Sequence, residues 1–254
     1  MNTLESPRIM LDRASEQVTE LYAKVREFTT LHKYEVVREH NSELGLNVLR
    51  MKIMGAPPLP KQFALLVGEF SNSLRGALDH LVWAFIKGTP KGDKRIEFPI
   101  FDTPGRFEAE REKKIGLLPT AAQGEIKRLQ PYHAGDQSHS HPLWRIHRLA
   151  ISHKHRHVVI VAHSFRYSMS GGGNVRFGLT MSFRSGLDTD PIAPLPPIPE
   201  ALAKQVDFQV EPLFSIELKN ADVDTDIFMP LGELETLHQY VRDEVFTSLE
   251  PLVP

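Results

Sequence analysis

A chain of 254 residues with 41% hydrophobic and 24% charged side chains lies near the globular average, which excludes global disorder and predicts a sizeable core. The formal charge is −2 and cysteine is absent, so disulfides, thiolate zinc sites and cysteine nucleophiles are excluded. No run approaches the ~18 apolar residues needed to cross a bilayer, and residues 1–13 lack a signal-peptide core, so one cytoplasmic domain over 1–254 without a membrane partner is expected.

Over residues 8–32, Ile9, Leu11, Val18, Leu21, Val25 and Phe28 recur at helical spacing. Residues 34–53 then read as a hairpin around Asn41, Ser42 and Glu43, stopped by Pro57, Pro58 and Pro60. The clearest amphipathic helix spans 60–87, where Phe63, Val67, Phe70, Leu74, Leu78, Leu81 and Phe85 step three or four residues apart. Phe98 to Phe101 reads as a docked extended segment, 106–114 and 120–129 as shorter helices, and 142–154 as a further helix.

From 158 to 184, two alternating runs flank Gly171, Gly172 and Gly173 and predict a hairpin with one apolar and one basic face. The proline-rich stretch 190–199 reads as a connector of polyproline character. A strand is expected over 208–219 and a closing helix over 231–249. The expected fold is α+β: long amphipathic helices packed beside an antiparallel sheet of about four or five strands.

The charge distribution is asymmetric. Between Asp136 and Asp188 there is no acidic residue, while Arg145, Arg148, Lys154, Arg156, Arg166, Arg176 and Arg184 are all basic. His139, His141, His147, His153, His155, His157 and His163 share the window. Such a segment attracts phosphate by Coulomb steering and counterion release, and Arg145, Arg148, His153, Lys154, His155 and Arg156 are its candidate phosphate-binding residues. The bland alternative is a set of outer-face charges paired with acids from elsewhere. His139 with His141, or His153 with His155 and His157, offer imidazoles to a metal, but the cationic surroundings oppose a divalent ion and no metal is expected. Asp222, Asp224, Asp226 and Glu233 have calcium-loop spacing, yet Ile227 occupies the place where that loop needs glycine, so the stretch reads as a solvated turn.

The predicted second helix contains Arg75-Gly-Ala-Leu-Asp-His80. An Arg, four to six residues and a His in a helical setting resembles the signature of the HEPN superfamily (higher eukaryotes and prokaryotes nucleotide-binding), many members of which are metal-independent ribonucleases. The resemblance implies a helical bundle, commonly paired as a homodimer, with Arg and His facing one cleft and no cofactor. It implies that Arg75 stabilises a charged phosphate and that His80 is a general acid or base on the ribose hydroxyl or leaving oxygen. Gly76 stands where members often carry a polar residue, typically Asn. Positions five apart on a helix lie ~140° apart around its axis, so Arg75 and His80 share a site only between their two faces or across a dimer seam.

A purely structural reading of the same residues pairs Arg75 with Asp79 at i, i+4 and makes His80 and Trp83 partly buried amphipathic neighbours. The sequence therefore points to an RNA- or nucleotide-binding protein, with metal-independent RNA cleavage of the kind found in toxin and defence systems as its expected chemistry. A non-enzymatic homodimeric domain with a basic patch for an acidic partner stands beside it, and a histidine-rich metal-binding protein stands third.

Overall fold

The structure, a computed structural model, describes residues 3–32, 35–41, 46–52, 59–87, 95–155, 159–171, 176–182, 206–218 and 227–254. For the strands, apart from 214–216 and 229–230, and for the last turn of the helix ending at His155, it describes the backbone alone. The chain is α+β. In order, α1 (Glu5–Leu31), the hairpin β1 (Glu35–Asn41) and β2 (Leu46–Lys52), and α2 (Lys61–Phe85) are followed by α3 (Pro104–Ile115) and α4 (Thr120–Arg128). A 3₁₀ segment (Pro131–Ser140) leads into α5 (Pro142–His155), then β3 (Val159–Gly171), β4 (Arg176–Ser182), β5 (Val206–Leu218) and β6 (Ile227–Pro230). The chain closes with α6 (Glu233–Tyr240), a π-helical stretch (Val241–Phe246) and one α-turn (Thr247–Leu249).

Two compact units divide the chain. One holds Met1–Tyr22, Lys61–Val158 and Gly232–Pro254; the other holds Ala23–Pro60 and Val159–Leu231. In the first, α2 packs chiefly on α5. Its apolar stripe of Phe63, Val67, Phe70, Leu74, Leu78, Leu81 and Phe85 is buried throughout, as are Leu143, Ile146 and Leu149 of α5. Ile96, Phe98 and Ile100 are buried at alternate positions of an extended strap, 95–101. The Phe107 ring, wholly buried, meets Phe101 edge-on at 6.5 Å and Tyr132 at 6.0 Å. Among the described residues no helix is long and apolar enough to cross a membrane.

In the second unit, β4, β3, β5 and β6 lie side by side in that order, all antiparallel. Tyr167 faces Leu179 on β4 and Val210 on β5 in the ladder, and the register shifts between Ala162 and Ser164, a bulge of the kind that bends a strand. Phe214, Ile216, Met229 and Leu231 are buried, and the Leu231 N–H closes the end of the sheet on the Phe214 carbonyl at 2.9 Å. The strands do not join in the one sheet expected from the sequence. β1 and β2 pair only with each other, from Glu35 opposite Lys52 to Asn41 opposite Leu46, and form no hydrogen-bonded ladder with the other four strands. A hairpin satisfies its inner edge through its own tight connection and enters a larger sheet only if an outer edge is paired. Residues 42–45, 172–175 and 183–205, with the expected turns and proline-rich connector, and the aspartates at 222, 224 and 226 lie outside the described residues.

Gly76 of α2 faces Met10 of α1. A Cβ there would fall 2.5 Å from the terminal methyl of Met10, the far end of a flexible side chain, so Met10 must shift to admit a larger residue. Gly76→Leu is expected to cost about 1–3 kcal/mol by overpacking, seen as a lower urea midpoint, and Met10→Ala in the same chain should recover part of it.

Candidate functional site

Among the described residues the extended strap has no neighbouring strand, and side chains supply partners of the kind a ladder would give. Arg75 Nη2 donates to the Phe98 carbonyl at 2.7 Å while the Phe98 N–H donates to Asp79 Oδ1 at 2.9 Å. Arg75 also forks onto Asp79, through Nη2 at 2.8 Å and Nε at 3.2 Å. Gln130, fully buried, donates through Nε2 to the Pro99 carbonyl and accepts the Phe101 N–H on Oε1. The Trp83 indole N–H donates to the Ile96 carbonyl at 3.1 Å. The i, i+4 pair on α2 is therefore a clamp that grips one residue of the strap, Phe98, by both its N–H and its carbonyl.

Electrostatics follow from this enclosure. Burial raises the Asp79 carboxyl above its ordinary value, opposed by the Arg75 charge and the Phe98 N–H, both of which favour the ionised form. Burial acts the same way on Glu97, but the hydrogen bond and charge of Lys114, with Arg75 and His147 adding, bring its pKa below the ordinary value. His147, from α5, is pushed down to about 4, first by burial and then by the Arg75, Arg148 and Lys114 charges, with Glu97 opposing. It is the imidazole of α5 that the fold brings up to the clamp.

On the other side of the clamp lies a cleft of about 740 Å³. The first turns of α1 form one wall, with Glu5, Ser6 and Ile9; the C-terminal half of α2 forms another; Ile96 and Glu97 of the strap form a third. His80, Trp83, Ala84 and Lys87 all line it, at the i, i+3, i+4 and i+7 spacing that places residues on one helix face. The His80 ring is exposed, and its Nδ1 lies 2.6 Å from the Ser6 hydroxyl. That contact fixes the ring and leaves Nε2 without a partner among the described residues. Trp83 is 36% exposed, with its indole N–H tied to the strap.

The two residues of the motif thus do different work in the fold. Arg75 is only 9% exposed; its Nε and Nη2 donate to Asp79 and the Phe98 carbonyl while its buried Nη1 has no hydrogen-bond partner among the described residues, whereas His80 stands in the cleft. Arg145 is ion-paired with Glu233 at the start of α6. Arg148 lies over the Trp144 ring, 5.6 Å from its centroid, and its buried Nε has no hydrogen-bond partner among the described residues. His153, Lys154 and His155 belong to the last turn of α5, but their side chains lie outside the described residues, as does Arg156 altogether. His139 stacks on Trp144 at 4.3 Å, and His141, held at about 4 by burial, meets the Tyr240 hydroxyl at 3.3 Å. Among the described residues no three His, Asp or Glu side chains are grouped to hold a metal ion.

Sequence reasoning passed over Glu5 and Ser6, which are remote in the chain, and over Gln130. Trp83 and Lys87 were within reach of it, because they follow His80 at helical spacing. No protein-family model matches the chain, and neither the curated proteins nor the solved structures compared with it yield a match.

Two outcomes follow from the clamp. Arg75→Ala leaves Asp79 buried beside an unpaired Phe98 carbonyl and should cost about 3–5 kcal/mol in urea unfolding. His147 binds a proton near pH 6.5 when unfolded and only near 4 when folded, so the native state loses stability as pH falls through that interval. Between pH 7 and 5 the loss should be about 1.5–2 kcal/mol for this one group, and His147→Gln should flatten the slope of the urea midpoint by that amount.

Proposed function

We propose that the protein binds RNA or nucleotides in the cleft between α1 and α2, and that His80 exchanges a proton there with a ribose hydroxyl or leaving oxygen, as in the metal-independent ribonucleases of the HEPN superfamily that its Arg75–His80 motif resembles. The observation that carries this reading is an exposed imidazole, oriented by Ser6, beside the partly exposed Trp83 in a cleft of nucleotide size. An imidazole titrates near neutral pH, so it serves as acid or base without a metal.

Arg75 has a supporting role in this proposal. Its guanidinium holds the strap that carries Ile96 and Glu97 into the cleft wall, and acts on a bound ligand through that wall rather than by touching it. The use of Arg75 Nε and Nη2 within the fold also favours a second reading, a non-enzymatic domain that binds its ligand and leaves it intact.

A metal-free RNA-cleavage assay with chelator, run beside ligand binding on the same samples, decides between them. His80→Ala, a change at an exposed position, should leave the melting temperature nearly unaltered and lower cleavage by roughly 100-fold or more, the scale of lost acid–base assistance. Cleavage that is unaffected by His80→Ala, or binding without cleavage by the wild-type chain, ends the catalytic part of the proposal. Loss of activity in Arg75→Ala counts only at temperatures where that variant remains folded.

A further inference from the structure

We infer that Ser6 is a nucleophile with His80 as its base, and that the cleft transfers the acyl group of a carboxylic ester to the Ser6 hydroxyl and then to water. This activity goes beyond the nucleotide reading and shares only the cleft and His80 with it. The pairing itself is the first observation. Ser6 Oγ lies 2.6 Å from His80 Nδ1 although 74 residues separate them in the chain, and both residues are exposed and line the cleft. That distance is within the reach a base needs to take a hydroxyl proton. Other described hydroxyls are placed differently. Thr30, Ser71 and Ser248 donate to helical carbonyls three or four residues back, acceptors that hold a hydroxyl without taking its proton.

The surroundings of Ser6 suit an ester. Ser6 and Ile9 stand three apart on α1, share one face of it and line the same cleft. Ile9 is 58% exposed, so an acyl chain has apolar surface one turn from the hydroxyl. Ser6 also belongs to the first turn of a 27-residue helix, whose leading N–H groups have no intrahelical acceptor. Donors and a dipole of that sign favour the oxyanion that forms when the hydroxyl attacks a carbonyl carbon.

The step balances with the ester and water alone. With the hydroxyl donating to Nδ1, the neutral ring carries its own proton on Nε2. Oγ bonds to the ester carbonyl carbon while its proton passes to Nδ1. The tetrahedral intermediate then breaks its bond to the alcohol oxygen, which leaves with that proton. Water repeats the sequence on the acylated Ser6, its proton passing through Nδ1 to Oγ, and releases the carboxylic acid with the hydroxyl restored. Nε2 meets no carboxylate among the described residues, so the pair is a dyad. Weakening the orienting carboxylate of a complete triad costs about 10⁴-fold in turnover, which makes covalent capture of Ser6 a more sensitive readout than turnover.

The test treats the full chain with an alkyl fluorophosphonate, which forms a P–O bond to an activated serine and expels fluoride, and locates the adduct by tandem mass spectrometry. The adduct is expected on Ser6, absent from Ser6→Ala and formed roughly 100-fold or more slowly in His80→Ala, the scale of lost base assistance. Both positions are exposed, so circular dichroism should show each variant folded, and unfolding the wild type in urea should abolish the labelling. Hydrolysis of p-nitrophenyl acetate by the wild type should exceed that by Ser6→Ala and fall to that background once Ser6 is captured. No adduct on Ser6, equal labelling of Ser6 in His80→Ala, or ester hydrolysis no faster than in Ser6→Ala overturns the inference. Each of those results leaves the nucleotide reading to its own assay, because RNA cleavage assisted by His80 needs no nucleophile on the protein.

Discussion

Arg75 and Asp79, one turn apart on α2, close around a single residue of the strap, the guanidinium on the Phe98 carbonyl and the carboxylate on its N–H. Enclosing two opposite charges is costly, and their attraction repays the cost only when every remaining donor and acceptor is used. Here the strap supplies most of those partners, with Arg75 Nη1 left without one among the described residues, and the pair in turn pairs both backbone groups of Phe98. Gln130 bridges the strap further on, from the Pro99 carbonyl to the Phe101 N–H on either side of Ile100. Without these side chains an extended segment with buried Ile96, Phe98 and Ile100 would carry unpaired backbone groups into the core, a penalty of about 1–3 kcal/mol for each. The α2 helix, buried along its stripe and tied to the strap, is consequently a stiff base for the cleft face that carries His80 and Trp83.

Much of this was legible in the sequence where the signal is local. The apolar stripe from Phe63 to Phe85 fixes α2 because seven large side chains at steps of three and four have one way to be buried together. The alternation around Phe98 marks an extended docked segment, and the spacing of Arg75 and Asp79 marks their pair. The division of the strands into a ribbon and a separate four-stranded sheet was not legible, since alternation reports which face of a strand is apolar and says nothing about which edge is paired. The short β6 strand was missed for a related reason: four residues are too few to show a period.

The candidate site shows the same boundary between local and non-local information. Helix geometry alone separates Arg75 from His80, and it equally places Trp83 and Lys87 beside His80. The opposite wall comes from the start of α1, and no pattern within α2 announces Ser6 or Glu5. The acid-poor middle of the chain is a similar case. Its composition suggests open cations, yet Arg145 finds Glu233 of α6, and burial keeps His141 and His147 neutral at physiological pH. Charge read along a chain is an upper limit on charge presented in space, because folding brings carboxylates from distant segments.

What the cleft then offers is an ordered polar environment rather than a strong field. Cations behind the wall are matched by Asp79 and Glu97, so the interior acts through hydrogen-bond acceptors and one imidazole. The Ser6 contact on Nδ1 bears on the state of that imidazole: where Nδ1–H donates to the hydroxyl, Nε2 is bare and basic in the neutral ring and carries the acidic proton in the imidazolium, whereas a hydroxyl that donates to Nδ1 leaves the neutral ring with Nε2–H, a hydrogen-bond donor only. A hydroxyl that accepts from Nδ1–H suits both the neutral and the charged ring, so the contact orients the imidazole whichever charge it carries, while the clamp at Phe98 holds the wall that Ile96 and Glu97 contribute.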